Sequence, residues 1–240
     1  MVFLFTPHDT ADWDAVETPV LVDAPFQGRM RKLLVHADRN GFYYVLDRIN
    51  GRFLHGVPFV QSVNWAKGLT PEGRPILVPG VEPSLQGTKI CPSTSGATNW
   101  MSPAYNPDTG LYYVVAIEGC GINTKSYEKF RPGGSPFDAT GYIESPEEPR
   151  QSYVRALDLN SGKLVWEFLQ MGSTEYGAGL LSTAGGLIFA GCDQGIFTAL
   201  HFNTGQAITA SPITYTFKGR QYVAVEAGSN VLAFGLFGEN

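Results

Sequence analysis

Residues 6–18 read Thr-Pro-His-Asp-Thr-Ala-Asp-Trp-Asp-Ala-Val-Glu-Thr and put one imidazole and four carboxylates, His8, Asp9, Asp12, Asp14 and Glu17, within ten residues. In an extended stretch, the side-chain period of two places Asp12 and Asp14 on one face and Trp13 on the other. Two adjacent carboxylates repel unless they are solvated, one is protonated, or a cation lies between them. A hard cation with oxygen ligands suits such a pair. On these residues alone, a solvated acidic loop is the alternative. No Gly stands at the sharp-turn position and no Glu closes the loop, so the segment is not an EF-hand.

The elements that position this segment are short and extended. The 240 residues include 28 glycines and 16 prolines, the mark of many turns. No stretch of eleven residues carries a helical period, and aromatic and β-branched residues are plentiful. The length allows one large all-β domain or two smaller ones. A net charge of −5 without a basic stripe argues against a nucleic-acid partner. No apolar run is long enough to span a membrane. The opening Met-Val-Phe-Leu-Phe-Thr-Pro has neither a basic region nor a full apolar core, so it does not read as a signal peptide, and the chain as written would stay in the cytoplasm. The cysteines, Cys91, Cys120 and Cys192, make no C-x-x-C pair. A Cys91–Cys120 disulfide would imply an oxidising compartment, and by count alone three buried thiols are preferred.

Along the chain, Leu33–Val35, a turn at Asp38–Gly41, Phe42–Leu46 and Asn50-Gly51 predict a strand and a hairpin. Residues 55–90 predict a long loop. Pro107–Gly110 is a turn before the strand Leu111–Ile117, and residues 121–150 predict an excursion over the surface. Val154–Leu159 and Leu164–Phe168 form a hairpin, followed by two more around Gly185–Leu200 and Lys218–Phe234. The hairpins repeat: Val45-Leu46-Asp47 to Arg52 matches Ala156-Leu157-Asp158 to Lys163, and Gly-(Leu/Phe)-Tyr-Tyr-Val occurs at 41–45 and 110–114. Repeated antiparallel units predict a β-propeller or a solenoid, with a sandwich as the alternative.

Several motifs together resemble the quinoprotein alcohol dehydrogenases. They are Thr6-Pro7-His8-Asp9 with Asp12-Trp13-Asp14, Asp38-Arg39-Asn40-Gly41, Cys91-Pro92 with Asn99-Trp100, and Ala156-Leu157-Asp158 to Trp166. Thr183–Leu187 and Ser211–Tyr215 with Gln221-Tyr222-Val223 complete the set. The family consists of eight-bladed propellers that use pyrroloquinoline quinone (PQQ) and a metal ion. The resemblance covers the C-terminal half only and implies an all-β fold of about four blades of four-stranded antiparallel sheets, residues 1–240 forming one half-propeller domain. The other half of the family's chains carries a vicinal cysteine pair, the Trp beneath the quinone, and the Glu and Asn metal ligands.

By resemblance, Asp12 matches the base that takes the proton of a primary alcohol. Asp12 and Asp14 match metal positions, Asp14 being the extra aspartate of lanthanide-using members, with calcium as the alternative ion. Arg39 and Asn99 match quinone contacts, and Tyr176 stands where the family often has a cofactor-contacting Trp. Cys91 and Cys120 match a disulfide, reversing the preference for free thiols. Compared with a family blade, about ten residues are missing between Leu200 and His201, so that blade should lack its outer strand. The expected location becomes the periplasm. The expected partners are an alcohol substrate, a cytochrome c electron acceptor, and either a second copy of this chain or a separate N-terminal half. The competing reading is a propeller fragment without catalysis, acting as a binding or structural module.

Overall fold

The computed structural model describes residues 2–126, 132–133, 140–170, 177–183, 187–198, 202–203 and 208–235, with the backbone alone at 140 and 202–203. Among them there is no helix. The chain first builds a four-stranded antiparallel meander from β1 (Val20–Phe26), β2 (Arg29–Ala37), β3 (Phe42–Asp47) and β4 (Arg52–Pro58). The β2–β3 turn is the expected Asp38–Gly41. Asp38 takes the Gly41 amide on its carbonyl (3.0 Å) and the Asn40 amide on Oδ1 (3.0 Å). Gly41 sits at φ +96°, which a residue with a Cβ rarely adopts.

Residues 55–90 are more ordered than expected. They hold the end of β4, the small hairpin β5 (Ala66–Leu69) and β6 (Pro75–Leu77), and β7 (Thr88–Ile90). Next come β8 (Ala104–Asn106) and β9 (Leu111–Glu118). The supposed excursion at 121–150 contains β10 (Gly121–Lys125) and β11 (Thr140–Glu144), which join β7 in a three-stranded sheet of order β11-β10-β7. The polar, Gly- and Pro-rich sequence hid these strands because they are short. β12 (Gln151–Asp158) and β13 (Leu164–Leu169) complete a second four-stranded sheet, β13-β12-β9-β8.

The third unit is built of fragments. β14 (Leu180–Ser182) pairs with β15 (Ile188–Ala190), and β16 (Ile196–Phe197) with β17 (Phe202–Asn203), the two pairs being linked by a Gly191–Phe197 bridge. The expected loss of the outer strand is thus corrected: a two-residue strand stands there. The last sheet has three strands, β18 (Ile213–Phe217), β19 (Arg220–Ala227) and β20 (Asn230–Gly235).

The sheets stack in chain order. β3 is buried on both faces: Tyr43 and Val45 join a core with Tyr112, Val114 and Ala116 of β9, while Phe42 and Tyr44 join Trp13 and Trp65. The opposite face of β9, Tyr113, Val115 and Ile117, packs with Leu180 and Ala190 of the third unit. Phe189 and Phe197 then pack with Val223 and Val225 of the fourth. A strand covered on both faces needs a continuous apolar run, which explains Leu111–Ile117. Radial stacking of this kind is the architecture of propeller blades. The disulfide Cys91–Cys120, separated by 29 residues, ties the end of β7 to the loop after β9. Closing such a loop contributes about 3–4 kcal/mol in the chain-entropy account. Cys192 is a buried free thiol.

Candidate cofactor and metal site

The acidic segment is shaped by Asp9 and Trp13. Asp9 accepts the amide of Ala11 on Oδ1 (2.8 Å) and that of Trp13 on Oδ2 (2.6 Å). These bonds wrap the segment, and Asp12 takes a left-handed φ of +64° instead of the extended conformation expected. The separation of faces survives by another route. Trp13 is buried against Trp65, ring centroids 5.0 Å apart, and donates Nε1–H to the Ser93 carbonyl (2.9 Å). Asp12 and Asp14 stay exposed. Burial raises the Asp9 carboxyl above its usual range, against its two amide bonds, with Asp14 and Asp12 adding repulsion.

Asp12 and Asp14 line one cavity of about 540 Å³ together with Asp9, Thr94, Asn123 and Tyr142. Arg39 lies beside it: Nη2 donates to the Thr94 carbonyl (2.6 Å) and stands 3.8 Å from Asp12 Oδ2. With Asp12 this exposed, the ion pair contributes under about 1 kcal/mol, so its interest is placement rather than stability. Gly96, at φ +84°, makes room for the arginine, since a Cβ there would lie 2.8 Å from Arg39 Cβ and Cγ. Three buried polar atoms at or beside the cavity have no hydrogen-bond partner: Arg39 Nε, Asn123 Oδ1 and Tyr142 Oη. Buried polar groups are rarely left so, and each is capacity for a ligand.

The family model for the β-propeller domain of glucose, ethanol and alcohol dehydrogenases (PQQ) matches residues 2–64. Quinoprotein alcohol dehydrogenase PedH of Pseudomonas putida is 38% identical over 246 aligned residues, covering 94% of this chain and 40% of PedH. By sequence and by fold, the chain is similar over most of its length to a part of the quinoprotein alcohol dehydrogenases. The quinohemoprotein alcohol dehydrogenase of Comamonas testosteroni superposes with a TM-score of 0.85 at 29% identity, over 95% of this chain and 37% of that one. A europium-containing methanol dehydrogenase superposes with a TM-score of 0.80 at 33% identity, over 93% and 41%. The chain therefore spans about two-fifths of the length of the relatives it matches.

Of the residues that the quinoprotein resemblance singled out, Asp12, Asp14 and Arg39 come together. Asn99 does not line the cavity. It is buried, donating Nδ2–H to the Ser95 carbonyl (2.9 Å) and accepting the Trp100 amide (2.9 Å). Tyr176 lies outside the described residues. Cys91 and Cys120 form the disulfide. Sequence reasoning passed over Thr94, Asn123 and Tyr142. The last two stand on paired β10 and β11, where a Cβ on Gly121 would collide with the Tyr142 ring. The inward alternation of Gly121 and Asn123 in β10 is the signal that could have located this wall.

The residues present fit PQQ and a cation in part. An anionic quinone beside two aspartates would need a cation to offset the charge, and Asp12 and Asp14 would offer oxygens to hold it. Arg39 offers a guanidinium beside the cavity, and Asn123 and Tyr142 offer the orphaned polar atoms.

A second buried cluster adjoins the same turn. Glu17, His36 and Asp38 are 5%, 2% and 0% exposed. Burial, then repulsion from Asp38, pushes the Glu17 carboxyl up to about 9, although the Arg39 charge and nearby backbone amides oppose the shift.

Proposed function

We propose that this chain is a half-propeller domain of a PQQ-dependent oxidoreductase that oxidises primary alcohols. Asp12 acts as the base, Asp12 and Asp14 hold a cation, and Arg39 holds the quinone. The observation that carries the reading is two exposed aspartates lining one cavity with a buried arginine beside it, in a chain similar to this family. When bound, the quinone would accept the carbon-bound hydrogen with both electrons, a hydride equivalent, leaving the hydroxyl proton to a base. Asp12 is exposed to the cavity and free of hydrogen bonds to backbone amides, so its carboxylate is available to take the hydroxyl proton. Arg39, fixed by the Thr94 carbonyl and by the space at Gly96, would stabilise negative charge beside it. Tyr142 and Asn123 form the facing wall and would orient an alcohol or the cofactor edge. The disulfide suits an oxidising compartment, which supports a periplasmic location, and a cytochrome fits as the electron acceptor.

A lanthanide is the favoured ion because Asp14 adds a full negative charge to that of Asp12. The europium in a structural relative at 33% identity supports this choice. The test is a chimera in which this chain replaces the corresponding part of PedH. Alcohol-dependent dye reduction should appear in the chimera and fall by roughly a hundred-fold or more in Asp12→Asn, the scale of a lost general base. A folded, PQQ-loaded chimera without activity would favour the reading of this chain as a non-catalytic binding or structural module.

A further inference from the structure

We propose that Glu17, His36 and Asp38 form a second cation site, separate from the Asp12–Asp14 pair, for one divalent transition-metal ion of the zinc type. His36 Nε2 lies 3.2 Å from Asp38 Oδ2 and 3.6 Å from Glu17 Oε2. One ligand atom from each residue falls within 4.8 Å of the other two. Ligands held at about 2.0–2.1 Å around a tetrahedral zinc stand about 3.3 Å apart. The two measured edges bracket that spacing.

The hydrogen-bond arithmetic points the same way. An imidazole nitrogen carries at most one proton, yet two carboxylates face Nε2. Asp38 is the nearer, and its other oxygen is already held by the Asn40 amide at 3.0 Å. Neither oxygen of Glu17 has a hydrogen-bond partner. A buried carboxylate left unpaired is costly. One doubly charged ion would take the imidazole lone pair and both carboxylates and cancel their charge together.

The donor set also selects the ion. One imidazole nitrogen and two carboxylates suit zinc and its transition-metal neighbours. Calcium would need six or more oxygens. The site is held rigidly, since His36 sits in β2, Asp38 opens the β2–β3 turn, and the Phe5 ring stacks on the imidazole at 4.4 Å. A cavity of about 300 Å³, lined by Glu17, His36, Phe3 and Phe5, leaves room for a fourth ligand.

The test uses the full, untagged chain, stripped with a chelator and titrated with Zn²⁺ by calorimetry and native mass spectrometry. Co²⁺ serves as the visible probe. One Zn²⁺ should bind per chain, and Co²⁺ should give the intense visible band of a tetrahedral site. Glu17→Gln, nearly isosteric, should weaken Zn²⁺ binding roughly ten-fold or more, as losing one of three ligands requires. His36→Ala should abolish the band, whereas Asp12→Asn/Asp14→Asn should retain both ion and band. If His36→Ala does not fold, Glu17→Gln and the cobalt spectrum of the unaltered chain decide. Overturning results are no bound Zn²⁺, an octahedral cobalt spectrum, binding unaffected by Glu17→Gln, or binding lost with the Asp12/Asp14 pair.

Discussion

Asp14 contributes charge to the proposed cofactor cavity and nothing to the core. Like Asp12 it is exposed there, two residues along and on the far side of a buried Trp13. A trivalent ion gains more than a divalent one from each added carboxylate. Asp14→Ala should therefore weaken La³⁺ binding roughly ten-fold or more and Ca²⁺ binding only a few-fold. Calorimetry with equal losses for the two ions would remove the basis for the lanthanide. Glu17 gives a different prediction in the chelator-treated chain. Its folded value of about 9 lies above the ordinary 4.5. The folded state thus binds the extra proton between those values. The stabilisation is full below about pH 4.5 and is lost as pH rises toward about 9, with a slope of at most about 1.4 kcal/mol per pH unit. Urea unfolding should show stability declining over that window, and Glu17→Gln should flatten the decline. An unchanged slope in the variant would contradict the assignment.

At the scale of elements, the third unit is the weak one. β16 and β17 are two residues each, so few ladder hydrogen bonds hold them. Amides at Ile196, Phe197, Phe202 and Asn203 should exchange fastest among the strands, and uniform protection across all sheets would count against this. The central strands of the regular sheets were legible in the sequence, whereas β1, β8 and most of β4 were not singled out. The Asp38–Gly41 turn, the apolar run of β9 and the repeated Leu-Asp hairpins each follow from local chemistry: a left-handed glycine, two buried faces, and a tight reversal. The small sheet β11-β10-β7 was not, because its strands are short and rich in Gly, Thr and Asn, and their pairing spans residues distant in sequence. The site divides in the same way. Asp12, Asp14 and Arg39 sit in recognisable motifs, whereas Asn123 and Tyr142 reach the cavity only through that small sheet. The curl at Asp12 depends on side-chain bonds from Asp9 that no periodicity reports.

For the whole molecule, the stack leaves its last sheet with an open face. Ile213, Tyr215 and Phe217 of β18 are 60%, 41% and 57% exposed, and Tyr215 stacks on Tyr222 at 5.3 Å. At the other end, residues 3–13 and 63–81 cover the outer side of the first sheet. An apolar sheet face of this kind favours association. Light scattering at micromolar concentration should give a mass above the 26.1 kDa of one chain, and a clean monomer would contradict this. Catalysis by the chain alone should be orders of magnitude below that of a full-length relative, because positioning supplies much of a rate enhancement and the chain spans only about two-fifths of such a relative. Binding is therefore the more direct readout of the central claim, that Asp12, Asp14 and Arg39 form part of a cation-dependent quinone site. The measurement is a titration of the chain with PQQ in the presence and absence of La³⁺. The account predicts La³⁺-dependent binding that Asp12→Asn and Arg39→Ala each weaken roughly ten-fold or more, as the loss of a charged contact should. Absence of binding, or binding indifferent to La³⁺ and to both substitutions, would contradict it.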